Sequence, residues 1–227
     1  MPANNTKKVN RANKILYILQ NNFSLPSWID LQRTPFQVLI RTVLSQATAS
    51  RNTAKAFENL SRKFSIDPQA LATADTRDIE EAIRVAGLYR NKSKMIKRIS
   101  EVILEQFGGS LDFIHTSPLE EARKTLLAIP GIGPKTADVT LLFCAKKPTI
   151  PIDTHVNRVS KRLGLVPLKA DYEETRKSLQ SIYQPEDYLA VHLLLISLGR
   201  EYCKAKNPLC NPCPVSRLCP SKHMEKW

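Results

Sequence analysis

The sequence predicts an all-α protein, on three observations. Helix-start signals recur along nearly the whole chain. The apolar residues between them repeat at helical spacing, and no pair of segments alternates as paired strands would. From the N-terminus, a helical pattern covers roughly 9–22, and "SWIDLQRTP" (27–35) reads as a crossing between helical layers. Thr34–Pro35 supplies an N-cap and a proline at the first helical position, and Phe36, Leu39, Ile40, Val43 and Leu44 then share one face. A pattern over 49–64 follows, Asp67–Pro68 opens a short helix, and Thr76 opens another. From about Asn91 to Phe107 the aligned residues are Ile96, Ile99, Ile103 and Phe107, stopped by Gly108–Gly109. Ser117–Pro118 with Glu120 reads as a capping box for a helix ending at Ile129, and the next helix starts near Pro134. "AKKPTIPI" (145–152) is a second crossing, and patterns over 154–163, 171–182 and 186–202 complete the series. The two crossings divide the chain into a central domain of 32–147 and a second domain made from 1–31 and 148–227.

At 227 residues, with 42% apolar side chains, the chain can bury a sizeable core. Its 34 Lys and Arg against 21 Asp and Glu give a formal charge of +13, which favours a polyanionic partner, nucleic acid first. The surplus is uneven. Lys7, Lys8, Arg11 and Lys14 precede the first acidic residue, Asp30, and Arg90, Lys92, Lys94, Lys97 and Arg98 form a second acid-free run. A solvated basic face that only aids solubility is the competing account. "ILYIL" is the only apolar run near the N-terminus, too short for a signal-peptide core or a membrane span. A cytosolic, reducing setting is therefore expected, in which crowded cysteines serve as metal ligands rather than disulfides.

"LLAIPGIGPKTADVTLLF" (126–143) carries the sharpest chemistry. Gly131 and Gly133 permit backbone angles that other residues resist, and they clear side chains from the turn around Ile132. Amides exposed at the start of the following helix can receive one phosphate, so the segment reads as a helix-hairpin-helix that grips a DNA backbone without reading sequence. An ordinary αα-turn is the bland reading. Lys135 stands at that helix start, where partial positive charge disfavours an ammonium and lowers a lysine pKa. A neutral amine is a nucleophile able to form a Schiff base; a phosphate contact suits the same position. Downstream, "IPIDTHVNRV" places Asp153 before a helical pattern, as a plain N-cap or as a well-held carboxylate beside a developing sugar cation.

Cys203, Cys210, Cys213 and Cys219 follow C-x6-C-x2-C-x5-C, a spacing that can hold tetrahedral zinc or a four-iron, four-sulfur cube. Lys204, Lys206 and Arg217 make this loop basic, whereas Cys144 sits in an apolar helix as a core residue.

Taken together, hairpin, lysine, aspartate and cysteine loop resemble endonuclease III, within the helix-hairpin-helix DNA glycosylase superfamily. The similarity runs from about residue 30 to Cys219. "IPGIGPKTA" stands for the family's "LPGVGRKTA", "IDTH" for "VDTH", and the cysteine spacing is the family's own. The resemblance implies a six-helix barrel domain carrying the hairpin and a helical domain closed by an iron–sulfur loop. It assigns Lys135 as nucleophile at the sugar C1′ and Asp153 as catalytic carboxylate, and it favours a 4Fe-4S cluster over zinc. Gln46 in "LSQATA" and Leu88 in "GLYRNKS" become wedges that fill the gap left by a flipped base. Gly131, Ile132 and Gly133, with Lys204 and Lys206, complete the expected DNA contacts. Ala49 and Pro134 depart from an acidic residue and an arginine common in the family, which leaves the preferred base open. "LSQATASRNTAKAF" also resembles a branch with more varied substrates, and His155 reads as either a site or a structural histidine.

The function expected is that of a base-excision-repair glycosylase with AP lyase activity. It would act as a monomer on double-stranded DNA holding a damaged base or abasic site, in the cytoplasm at the nucleoid and with no membrane partner. An oxidised pyrimidine would be excised through a lysine Schiff base and the strand cut by β-elimination. The alternatives are a mismatch uracil or thymine glycosylase on the same scaffold and a non-catalytic DNA-binding module. The pairing of Lys135 with Asp153 argues against the latter.

Overall fold

The structure, a computed structural model, describes residues 2–25 and 33–222. Every regular element among them is helical. Most of the first crossing, 27–32, lies outside the described residues.

Helix α1 spans Pro2–Asn22 and starts well before residue 9. Periodicity marks only a buried face, and the side chains of Thr6 and Lys7 are exposed. α2 (Pro35–Ser45) begins with a full capping box. The Thr34 hydroxyl accepts from the Gln37 amide, and the Gln37 side chain accepts from the Thr34 amide, both at 3.2 Å. α3 (Ser50–Lys63) follows Ala49, which offers no side-chain cap. Asp67 caps α4 (Pro68–Thr73), and α5 (Thr76–Ile83) opens at Thr76 as expected, with Asp75 as its cap. α6 (Tyr89–Phe107) ends at Gly108 and Gly109, both left-handed at φ +60° and +83°. A four-residue α7 (Phe113–Thr116) was too short to leave a period.

The capping box at Ser117 does not form. α8 (Leu119–Ala128) starts one residue later than that reading requires, so Pro118 takes the cap position and no side chain bonds the first turn. Glu120 and Glu121 instead place negative charge where the helix dipole favours it. α9 (Pro134–Ala145) follows the hairpin, and α10 (Thr154–Arg162) follows the second crossing. α11 (Tyr172–Gln180) opens on an Asp171–Glu174 capping box. A 3₁₀ turn, Pro185–Asp187, precedes α12 (Tyr188–Glu201).

The chain forms two compact units, Gln32–Lys147 and Met1–Leu31 with Pro148–Trp227. In the first, α6 packs on α4 and α5, and α9 on α2 and α8, around Leu39, Ile40, Leu60, Ile79, Ile96 and Leu141. In the second, α12 packs on α1 and α10 around Ile15, Leu19, Val156, Leu179 and Leu198. Gly199 sets that second approach, because a Cβ there would stand 2.9 Å from His155 Nδ1 and 3.1 Å from Val159 Cγ2.

Candidate active site

The hairpin belongs to the unit Gln32–Lys147. Ile129 closes α8 and accepts at its carbonyl from the Ile132 amide at 3.1 Å. Both isoleucine side chains are buried, so the turn is anchored from below and the Ile132 amide is spent inside it. Gly131 has φ +92°, and a Cβ there would lie 2.9 Å from Met95 Cγ, so both angle and space demand glycine. Gly133 corrects the expectation that both glycines relieve the backbone. Its φ of −90° and ψ of 173° are open to any residue, and a Cβ would meet nothing within 4 Å. What Gly133 leaves is empty space ahead of α9. Pro134 is the first helical residue and Lys135, half-buried, the second. One turn on, Asp138 is held by Arg123 of α8, with Nε–Oδ1 at 2.8 Å and Nη2–Oδ2 at 3.3 Å.

Gln46 and Leu88 stand on two loops of the same unit that the structure ties together. Gln46 is exposed beside Ala47, which is left-handed at φ 51°. Leu88 is left-handed too, at φ 48°, with its side chain 61% exposed. A bulky, non-glycine residue in that region is strained, and such strain concentrates at working sites. Thr48 donates to the carbonyl of Ala86 or Gln46, and Lys92 Nζ donates to Leu44 O, Ala86 O and Thr48 Oγ1. Lys92 is therefore no part of a basic face, and Lys97 also turns inward to the Ala74 carbonyl at 2.7 Å. Arg90, Lys94 and Arg98 remain exposed. The signal for Lys92 was present in its helical register with Ile96, Ile99 and Ile103, the buried face of α6.

Asp153 belongs to the other unit. Its carboxylate accepts from the Val156 amide at 2.7 Å as the N-cap of α10. The two residues before it are also fixed. His192 donates from Nδ1 to the Pro151 carbonyl at 2.8 Å, and the Ile152 amide donates to the Tyr172 hydroxyl at 3.3 Å. His155 behaves structurally: it lies against Gly199, and its Nδ1 accepts from Arg158 Nη2 at 3.1 Å. Burial lowers its pKa, with Arg158 and Arg200 adding to the effect and Asp153 opposing it.

Cys203, Cys210, Cys213 and Cys219 line one cavity in this unit, with Leu198, Leu209 and Val215 among its apolar walls. Among the described residues no carboxylate or imidazole lines that cavity. Three arginines hold the loop by its carbonyls. Arg158 reaches Cys203 O at 2.9 Å, Arg162 reaches Lys204 O and Ala205 O at 2.7 and 3.1 Å, and Arg11 reaches Leu218 O at 3.1 Å. Arg11 thereby leaves the N-terminal basic run for a structural post. Among the described residues no group of three or more His, Cys, Asp or Glu is arranged to hold a metal ion as it stands. The donor chemistry nevertheless fits a thiophilic metal group. Burial, and the charges of the other three cysteines, push the Cys213 thiol up to about 11, and a bound cation is what such a set needs in order to ionise. Lys204 and Lys206 are exposed on the same loop. Cys144 is half-buried at the end of α9, packed against the core, and burial pushes its thiol up to about 11.

Residues 40–185 match the model of the HhH-GPD superfamily base excision DNA repair proteins. The chain belongs to that family. It is an endonuclease III-like base excision repair glycosylase. It is 39% identical to endonuclease III of Thermotoga maritima over 185 residues, 82% of each chain. It is 37% identical to endonuclease III of Sulfolobus acidocaldarius over 188 residues, 82% of each. A solved structure of a trapped endonuclease III–DNA covalent intermediate superposes with a TM-score of 0.83 at 31% identity, covering 94% of this chain and 96% of that one. No described helix is long and apolar enough to cross a membrane.

Proposed function

We propose that the protein is a bifunctional glycosylase and AP lyase that removes oxidised pyrimidines from duplex DNA. Lys135, in its neutral form, attacks C1′ of the damaged nucleotide as the base departs, and the resulting Schiff base allows loss of a C2′ proton and elimination of the 3′ phosphate. Asp153 is the catalytic carboxylate, stabilising the developing sugar cation or taking the proton from Lys135. The observation that carries this reading is Lys135 as the second residue of α9, directly behind the Gly131–Gly133 turn. Capture of a similar endonuclease III as a covalent intermediate with DNA supports it. Gly131 shapes the turn, Ile132 anchors it, and the space at Gly133 admits a backbone phosphate. Gln46 and Leu88 fill the gap left by the extruded nucleotide, a role that the exposure and strain of Leu88 support.

Cys203, Cys210, Cys213 and Cys219 hold a 4Fe-4S cluster, which when bound fixes the loop bearing Lys204 and Lys206. The protein works as a monomer on chromosomal DNA in the cytoplasm. Borohydride trapping tests the mechanism. On a duplex with one oxidised pyrimidine, wild type should become covalently joined to DNA, and Lys135→Gln should bind the duplex without trapping. Undiminished strand cleavage by Lys135→Gln would overturn the assignment.

A further inference from the structure

We propose that Lys92 is a positioning residue for base extrusion, whose buried ammonium joins the loop bearing Gln46 to the loop bearing Leu88 so that both side chains enter DNA as one rigid edge. This rests on the reading of Gln46 and Leu88 as wedges.

Lys92 is 3% exposed, in the first turn of α6. Its three protons have three acceptors: Leu44 O and Ala86 O, each at 3.0 Å, and Thr48 Oγ1 at 2.6 Å. None of the three is a carboxylate, so the charge is buried among neutral dipoles rather than paired. That is a costly way to fill a core, where an apolar side chain of similar length would avoid desolvation. The partners explain the choice. Leu44 lies in the last turn of α2, and Ala86 ends the 3₁₀ turn Arg84–Ala86, so each offers a carbonyl from a helix C-terminus, where partial negative charge collects. One ammonium satisfies both ends at once. Thr48 closes the link, because its hydroxyl receives Lys92 and also bonds across to Ala86 O.

Each joined loop contains a non-glycine residue in the left-handed region, Ala47 on one side and Leu88 on the other. Such conformations persist only where their surroundings over-determine them. A rigid wedge also reduces the ordering cost of entering the stack. The geometry thus assigns Lys92 a task at a distance from the chemistry: it touches neither base nor sugar.

Full-length Lys92→Met and Thr48→Val, with wild type, test this. Hydrogen exchange in the free protein should show the amides of 46–48 and 87–89 opening faster together in Lys92→Met, with the 129–133 turn unchanged. Single-turnover excision of an oxidised pyrimidine from a fully paired duplex should fall roughly ten- to a hundredfold, the scale of a misplaced positioning group. The loss should largely disappear when the same lesion sits in a one-nucleotide bulge, where extrusion costs less. Thr48→Val should show the same pattern more weakly, and it carries the comparison if Lys92→Met does not fold. Equal loss on both substrates, or faster exchange with unchanged excision, would overturn the proposal. If wild type excises from neither duplex, the glycosylase reading fails, and the exchange result still decides whether Lys92 joins the loops.

Discussion

Arg123 of α8 and Asp138 of α9 are joined across the hairpin by two hydrogen bonds, with side chains only 8% and 0% exposed. The pair fixes the register of the two helices one turn from Lys135. Removing the arginine takes two hydrogen bonds and the opposite charge from a fully buried carboxylate, so Arg123→Met should lower unfolding stability by about 3–5 kcal/mol. Adding Asp138→Leu should recover most of that loss, since an apolar pair of similar volume avoids the desolvation cost. Urea unfolding measures both. If the single variant is as stable as wild type, the pair does not brace the hairpin.

Asp153→Asn should lose most base excision while melting close to wild type. Asparagine caps helices about as well as aspartate, so the bond to the Val156 amide can persist while the charge is lost. Calorimetry and single-turnover excision separate the two roles. Normal melting with normal excision would leave Asp153 a cap and nothing more.

The helices were legible because their punctuation is local. Thr34–Pro35 and Asp67–Pro68 each carry cap and first residue in adjacent letters, and Gly108–Gly109 is a stop signal of the same kind. Ser117 misled because Ser-x-x-Glu fixes a spacing and not a start, and the helix began one residue later. At the candidate site, the demand for glycine at Gly131 could be read, but one of its two causes, the close approach of Met95 of α6, is distant in sequence. The left-handed turns at Ala47 and Leu88 could not be read, since both residues disfavour that conformation and the bonds from Lys92 and Thr48 that join the loops link stretches distant in sequence. Lys92 shares the helical register of the buried face of α6, but composition masked that signal. A lysine within a basic run reads as solvated, and its burial depends on carbonyls 6 and 48 residues away.

Purified without oxygen, the protein should be yellow-brown with about four irons per chain, as four thiolates holding a cubane require. Removing the metal should loosen residues 203–219 first, since the four cysteines then lose the group that links them across one cavity. Metal analysis, absorbance and exchange protection of that loop check this. Stoichiometric zinc without iron, in fully active protein, would reject the cluster.

Reversing Lys204 and Lys206 to glutamate should weaken binding to damaged and undamaged duplex alike. Both side chains are exposed, and their backbone is fixed from beneath by Arg162, which bonds the carbonyls of Lys204 and Ala205. A held loop can aim two ammonium groups at successive phosphates at little ordering cost. Phosphate contacts position a protein without carrying base information, so discrimination between lesions should barely change. Each lost contact should flatten the plot of log affinity against log salt by roughly one unit. Excision from a saturated duplex should stay near wild type, because neither Lys135 nor Asp153 is altered. The variant therefore needs a salt titration alongside a single-turnover rate. An unchanged salt slope with iron content intact would mean that this loop faces solvent and that phosphate is gripped elsewhere.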